Sequence, residues 1–538
     1  MTETSERMPR STKGSNDLAL KDASLPVAHK RVASHLWLLS VGLVAAAVCV
    51  PFIRTVYWLG DEGVFLHAAT RMLGGERLYV DFFEFLPPGS FVLTAAWFKL
   101  VGVSILSARL LAILTIVGIA CLTYLTCHRV SQNAPLSALL ITGWLLMSQG
   151  MWTVISHHWF TTLFSMVCAW ATIASADDQQ APLRLPLLAG AAAGMAVMVT
   201  PTRGALAATA ALIAYFRPRT RPVGLGVYLI GCALAPMSLL GYVIWNGGLV
   251  AALYDFILFP AEHYSSIQRV PFGAFSTPQD RLLAYLFPAA ALLLMLVCAL
   301  DWSNWRYDLR LRLCAAFAVA GFVGFFPRPS IIHIAFAVPL ALPLVLLCIG
   351  RLTRDWPPLA IFGAVCVMAV PAVPSAREFV WSSERALEET LIPTPRGKVA
   401  ALGLPGLAEL LQRIAATPGG DAFFFYPYEP MMPFLTARND VSPYDIFTPG
   451  YTMPSQYQEA CVSVLRHASW VVIDRKWTDP KLLRSIFPAM RDARPMETKK
   501  FEQTLDSESE SVGEYGSFEL RHRRPGGVDV SLCAGIAQ

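Results

Sequence analysis

The chain reads as long apolar runs separated by short polar breaks. Eleven such runs, 36–53, 107–127, 135–150, 159–175, 185–199, 204–216, 223–245, 282–300, 313–326, 332–350 and 358–374, predict helices. A helix crosses the hydrocarbon of a bilayer with roughly 17–25 mostly apolar residues, so these are candidate spans with soft ends. Two more stretches carry a helical pattern. Behind Trp58-Leu59-Gly60-Asp61-Glu62-Gly63, the residues Val64, Phe65, Ala68, Ala69, Met72 and Leu73 form one apolar stripe, and Gly74-Gly75 ends it. The stripe predicts an amphipathic helix lying in the headgroup plane. Residues 89–103, after Pro87-Pro88, are apolar but contain Lys99, and at 1.5 Å per residue they reach only about 22 Å. They are read as a second interfacial helix. Beyond 374 the period changes. Short apolar runs at Ala422–Tyr426 and Trp470–Asp474 alternate with helical patterns at 407–415 and 455–467, which predicts a small α/β unit over 375–538.

Composition excludes a soluble reading of the 538 residues. Apolar residues make up 55 % and charged residues 15 %, with a mean hydropathy of +0.48, where a soluble chain carries about a quarter charged residues. The same figures exclude a disordered chain, a collagen-like fibre and a small disulfide scaffold. A net charge of +5, scattered along the chain, gives no nucleic-acid footprint. The chain is expected to be a polytopic α-helical membrane protein in contact with membrane lipids.

Arginine placement sets the expected topology. The polar stretch 1–35 contains Arg7, Arg10, Lys13, Lys21, Lys30 and Arg31; it is read as a disordered cytoplasmic tail before a signal-anchor span. With 89–103 on the surface, the inner gaps hold Arg129, Arg184, Arg217, Arg219, Arg221, Arg306, Arg310, Arg312, Arg351 and Arg354. The outer gaps after the first hold only Arg203, Arg269, Arg281 and Arg328. Making 89–103 a span would invert that bias, against the positive-inside rule. About eleven transmembrane helices over 36–374 then leave 375–538 on the outer face. Cys461 and Cys533 lie in that tail and could pair in an oxidising compartment.

The eleven runs contain no Asp or Glu, which argues against a proton- or ion-coupled carrier. The acids gather instead in the first outer loop, as Asp61, Glu62, Glu76, Asp81 and Glu84. Asp61 has two readings: an N-cap of the amphipathic helix, or a carboxylate at the lipid–water boundary that takes a proton from a hydroxyl. N-cap hydrogen bonds would keep it ionised. Asp81 and Glu84 sit in an aromatic run, Asp81-Phe82-Phe83-Glu84-Phe85, that suits a membrane interface. The second outer loop holds Ser156-His157-His158-Trp159; neighbouring helical residues point about 100° apart, so the pair reads as polar lining, substrate contact or one ligand of a divalent metal. Arg109, Arg203, Arg269 and Arg328, with His333, lie near outer span ends. Each cation is explained by snorkelling, and together they would form a phosphate clamp.

In this order the residues resemble the GT-C glycosyltransferases, specifically family 39-like bacterial enzymes related to protein O-mannosyltransferases and lipid A aminoarabinose transferases. The resemblance rests on Asp61-Glu62 after the first span, the interfacial helix behind it, Pro87-Pro88 and the helix that follows, and Ser107-Ala108-Arg109-Leu110. It continues loosely along the membrane part. The tail is similar to tails of such proteins through Tyr426-Pro427-Tyr428-Glu429-Pro430 and Tyr444-Asp445-Ile446-Phe447-Thr448-Pro449-Gly450-Tyr451. The resemblance implies inverting transfer of a sugar from a polyprenyl phosphate to an acceptor hydroxyl of a lipid, glycan or protein, outside a bacterial inner membrane. It implies that Asp61 is the base, with Glu62, Asp81, Arg109, His157, His158, Arg203, Arg328 and His333 around the substrates. Some relatives have an acid where this chain has His157-His158, so the metal ligands, if a divalent metal is used, stay open. Two other classes fit a polytopic chain with outer arginines: a flippase or transporter of lipid-linked sugars, and a non-catalytic envelope scaffold. A flippase more often shows a cationic central cavity and a two-fold repeat, and neither is visible in the sequence.

Overall fold

The computed structural model describes residues 27–537 except 149–151, 178–180, 217–221, 265–266, 278–279, 301–306, 354–356 and 527–528. Residues 1–26 of the N-terminal tail, and Arg217, Arg219, Arg221, Arg306 and Arg354 of the inner loops, therefore lie outside the described residues.

Each apolar run forms a helix. In chain order the helices of the membrane part are α1 (Val27–Cys49), α2 (Asp61–Leu73), α3 (Gly89–Val101), α4 (Ile105–Ser131), α5 (Ala134–Ser148), α6 (His157–Asp177) and α7 (Arg184–Val199). They continue as α8 (Pro201–Tyr215), α9 (Pro222–Trp245), the short α10 (Leu249–Leu253), α11 (Arg281–Leu300), α12 (Leu309–Gly324), α13 (Ile331–Leu352) and α14 (Pro357–Glu388). Among the described residues six segments, Ser34–Phe52, Ile105–Ser131, His157–Asp177, Val223–Trp245, Leu283–Leu300 and Ile331–Leu352, are long and apolar enough to cross a membrane. Ala134–Ser148 and Arg184–Val199 are apolar but shorter. The protein is a multi-pass membrane protein.

In lipid, helix association rests on close packing more than on apolar burial. α7 meets α9 through Gly190 and Gly194, spaced four apart. A Cβ at Gly190 would lie 2.0 Å from the Tyr228 carbonyl oxygen, and one at Gly194 2.3 Å from that of Cys232. Any larger residue would force the two backbones apart. α14 runs well past the apolar end expected at 374. Residues 375–388 contain Ala, Leu, Arg and Glu and neither Gly nor Pro, so nothing stops the helix where the hydropathy falls.

The C-terminal residues build two sheets. β1 (Thr55–Val56), β2 (Leu391–Thr394) and β3 (Gly397–Ala401) form the first, in the order β1-β3-β2. β4 (Phe423–Tyr426), β5 (Trp470–Asp474), β6 (Ser509–Tyr515) and β7 (Phe518–Arg523) form the second, in the order β4-β5-β7-β6. Both expected strands are present and pair in parallel, Phe423 opposite Trp470 and Tyr426 opposite Ile473. The expected helices are present as Leu407–Ala415 and Pro454–His467. Cys461 and Cys533 are disulfide-bonded, tying the last described turn to the Pro454–His467 helix.

β4 is aromatic at every position because both of its faces are covered. Successive side chains of a strand point to opposite sides. Phe424 and Tyr426 join a core with Phe447, Tyr457 and Phe501. Phe423 and Phe425 join a second core that includes Phe65 of α2, Phe91 and Phe98 of α3, and Met431 and Phe434. The loop after α1 and the C-terminal residues thus share a hydrophobic core, and they share a sheet. β1 pairs in parallel with β3, Thr55 opposite Ala400 and Val56 opposite Ala401.

Candidate active site

The stretch before Asp61 is held to the C-terminal domain by its backbone. The Ala400 N–H donates to the Arg54 carbonyl at 2.8 Å, Leu402 to Val56 at 2.9 Å, and Met431 to Leu59 at 2.8 Å. α2 then lies directly against residues 430–431. A Cβ at Gly63 would sit 2.2 Å from the Met431 nitrogen, so this approach requires glycine. On the next turns His67 and Asp445 pair, with Nδ1 2.9 Å from Oδ1. Within α2, Glu62, Val64, Phe65, Leu66, His67, Ala68 and Ala69 are all buried, because α3 covers one side and the C-terminal domain the other.

Asp61 is the first residue of α2. Gly60 takes the N-cap position and no side chain caps the helix. The N-cap reading of Asp61 is therefore corrected: the carboxylate turns away from the helix, and the Tyr428 hydroxyl donates to its Oδ1 at 2.6 Å. Asp61 is reached by solvent from a cavity but enclosed by protein elsewhere. That enclosure raises its pKa above the usual carboxylate range, against the lowering effects of the Tyr428 hydrogen bond and the Arg328 charge. Burial, followed by the nearby Asp61 charge, raises the Tyr428 phenol well above its ordinary value, so the tyrosine stays a donor.

The cavity has a volume of about 340 Å³, within the usual range for a small-molecule site. Asp61, His157, His158, Arg328 and His333 all line it, with Glu62 and Arg109 in its wall. Its remaining lining is rich in aromatic rings from both the membrane part and the C-terminal domain.

Arg328 is the cavity's free cation. Its Nη1 donates to Gln268 Oε1 at 3.0 Å and its Nη2 to the Ile486 carbonyl at 3.1 Å. Its guanidinium carbon lies 5.5 Å from the Phe275 ring centre and 5.1 Å from that of Phe487. Among the described residues no carboxylate pairs with it. A guanidinium held by neutral groups, with its charge unbalanced in a cavity, is prepared for an anion.

The three histidines lie together. The rings of His157 and His158 are 3.8 Å apart and those of His158 and His333 4.6 Å, and the Ser330 hydroxyl bonds His333 Nδ1 at 2.8 Å. The two rings meet at the first turn of α6, which starts at His157. The Nδ1 atoms of His157 and His158 have no hydrogen-bond partner among the described residues. Among those residues, no group of three or more His, Cys, Asp or Glu is arranged to hold a metal ion.

The other candidates are placed differently. Glu62 and Arg109 form a buried ion pair. Arg109 Nη2 also donates to the Thr55 carbonyl at 2.7 Å, and Glu62 accepts from the Ile155 N–H at 2.9 Å. They join β1, α4 and the loop before α6. Arg203 donates through Nε to the Gly324 carbonyl at 2.8 Å and is not among the lining residues. Arg269 is exposed. Asp81 pairs with Arg77, which lowers its pKa, and lies outside the cavity lining. Of the four arginines, Arg328 and the ion-paired Arg109 line the cavity, while the Arg203 charge acts on its histidines from behind the lining. Tyr428, Trp58, Trp477 and Gln268 join the site unforeseen. Tyr428 stood inside a motif carrying the resemblance and Trp58 opened the loop that holds Asp61, whereas Trp477 and Gln268 had no local signal.

No protein-family model and no curated protein matches the sequence. Solved structures do. The chain is similar to ArnT from Cupriavidus metallidurans in the apo state, at 15 % identity and a TM-score of 0.57, over 93 % of this chain and 99 % of that one. The same protein bound to undecaprenyl phosphate matches at 15 % identity and a TM-score of 0.55, with the same coverage. Arabinofuranosyltransferase AftD from Mycobacteria matches at 16 % identity and a TM-score of 0.50, over 91 % of this chain and 40 % of that one. At these identities the likeness shows a shared fold.

Proposed function

We propose that this protein is a membrane glycosyltransferase that moves a sugar from a polyprenyl-phosphate donor to an acceptor hydroxyl, with inversion. The observation that carries this reading is that Asp61 and Arg328 line one cavity, a carboxylate and an unbalanced cation in the same enclosed space. The acceptor hydroxyl gives its proton to Asp61 as its oxygen bonds to the anomeric carbon. The bond from that carbon to the phosphate oxygen breaks, and the electron pair leaves on the phosphate. Arg328 stabilises the charge that develops there, and His157, His158 and His333 complete the phosphate side. A single displacement needs one base and inverts the anomeric centre. Glu62–Arg109 and Arg203 support the cavity walls, and Asp81 fixes the loop through Arg77. Two neighbours in fold support the reading by what they are: one holds undecaprenyl phosphate and the other is an arabinofuranosyltransferase.

The site faces the outside of a bacterial inner membrane in this reading. The chain divides into a cytoplasmic tail at 1–35, a membrane part at 36–374 and an extracytoplasmic domain at 375–538. Disulfides persist in oxidising compartments, so the Cys461–Cys533 bond supports that orientation, as does the arginine bias of the loops.

The test is Asp61→Asn, assayed in membranes supplied with radiolabelled polyprenyl-phosphate sugars. Transfer is expected to fall by at least about 10³-fold, the order seen when a general base is lost, while lipid binding persists. Wild-type transfer in the variant would remove Asp61 as base; absence of transfer by the parental protein would return the flippase and scaffold readings.

A further inference from the structure

We infer that the acceptor is a saccharide, whose ring sits in an aromatic corner made by Trp58, Tyr428 and Trp477 beside Asp61; the inference rests on Asp61 being the base. The three rings are mutually close to perpendicular. Trp58 and Trp477 lie 4.8 Å apart at 81°, Trp58 and Tyr428 6.5 Å apart at 84°, and Tyr428 and Trp477 6.3 Å apart at 86°. All three line the cavity and all three are only half-buried. Trp58 comes from the membrane part, three residues before Asp61; Tyr428 and Trp477 come from the C-terminal domain. The corner exists only where the two parts meet.

The chemistry of the corner selects its occupant. Large aromatic surface left open in an enclosed cavity gains when an apolar face covers it. A sugar ring offers such a face in its C–H groups, and its edge carries hydroxyls. Tyr428 supplies both halves of the match, a ring for the face and a hydroxyl already bonded to the carboxylate that must receive the proton. A peptide acceptor would instead call for backbone donors and acceptors beside the base. A phosphate acceptor would bring a second anion against Asp61, whereas the free cation of the cavity is Arg328, used by the donor. A quaternary ammonium is the other guest known for aromatic boxes, and it would add a second cation to a cavity that already presents Arg328.

The experiment is saturation-transfer NMR on the detergent-solubilised full chain with four compounds: a methyl pyranoside, a methyl furanoside, N-acetylserinamide and tetramethylammonium. At least one glycoside is expected to show saturation at its ring C–H protons. Trp477→Ala and Trp58→Ala should each weaken that binding about tenfold, the order of one lost aromatic contact. Trp477→Phe, which keeps a ring and guards against a folding defect, should stay within about threefold. The inference is overturned if neither glycoside binds, if binding ignores both tryptophan substitutions, or if serinamide or tetramethylammonium takes the corner instead. Persistent transfer by Asp61→Asn would sink the catalytic reading separately, and the titrations would still decide whether the corner holds a sugar.

Discussion

The Tyr428 hydroxyl donates a 2.6 Å hydrogen bond to Asp61 across 367 residues of sequence. One partner starts the first interfacial helix and the other belongs to the C-terminal domain. The contact is backed on the same side by β1–β3 pairing and by the Met431–Leu59 backbone bond. The C-terminal domain is thus built into the wall of the cavity that holds the proposed base.

Tyr428→Phe removes that bond and little else. Enclosure raises the Asp61 pKa and the Tyr428 hydroxyl lowers it, so the substitution should raise it further. The base works only when ionised, and transfer therefore climbs as pH rises through this pKa. The expected result is an acid limb displaced to higher pH, with the rate at neutral pH reduced roughly three- to tenfold, about the worth of one hydrogen bond. A pH–rate profile of the two proteins checks it; coincident acid limbs would show that Tyr428 does not act on Asp61.

Arg328→Ala should lower transfer by about 10²–10³-fold, the order for losing a preorganised charge at the leaving group. Arg328→Lys keeps the charge but not the two divergent bonds to Gln268 and Ile486, and should recover only part of the rate. Steady-state transfer with varied donor measures both. Parental rates in the alanine variant would leave the donor phosphate without its proposed partner.

Glu62→Gln breaks the buried pair with Arg109. Removing one partner leaves a buried charge without compensation and costs roughly 3–5 kcal/mol. A lower melting temperature in detergent is expected, and Glu62→Leu combined with Arg109→Leu should restore part of it. If Glu62→Gln melts like the parent protein and only the donor KM rises, the pair contacts substrate and does not chiefly hold the wall.

The Cys461–Cys533 bond closes 72 residues of sequence separation, which corresponds to about 4 kcal/mol in the chain-entropy account. Cys461→Ser with Cys533→Ser should make the C-terminal domain more protease-sensitive and lower its unfolding temperature. In intact cells the parental protein should resist thiol labelling at these positions until it is reduced by an impermeant reductant. Labelling without reductant would place the domain in a reducing compartment and overturn the proposed orientation.

The helices were legible because their signal is local. A run of apolar residues long enough for a bilayer announces itself, and each of the eleven became a helix. Asp61 was legible for a related reason: an acid before an amphipathic stripe, in a chain whose spans lack acids, has few places to go. The sequence also indicated Leu407–Ala415, Pro454–His467, β4 and β5 by period alone. It missed β1, since two residues carry no pattern and pair only because β3 arrives beside them. The separate partners of its arginines were hidden for the same reason. Arg109 meets Glu62, Arg203 meets Gly324, and Arg328 is left facing the cavity, yet all three look alike in sequence. Composition and period by themselves determined a multi-pass helical protein whose apolar runs lack acids and whose first loop is dense in them. Which of those acids faces a cavity, and which cation is left unpaired opposite it, was decided by tertiary packing. Hydrogen bonds and ion pairs form between neighbours in space, and Tyr428 became a neighbour of Asp61 only when the C-terminal domain closed against the first loop.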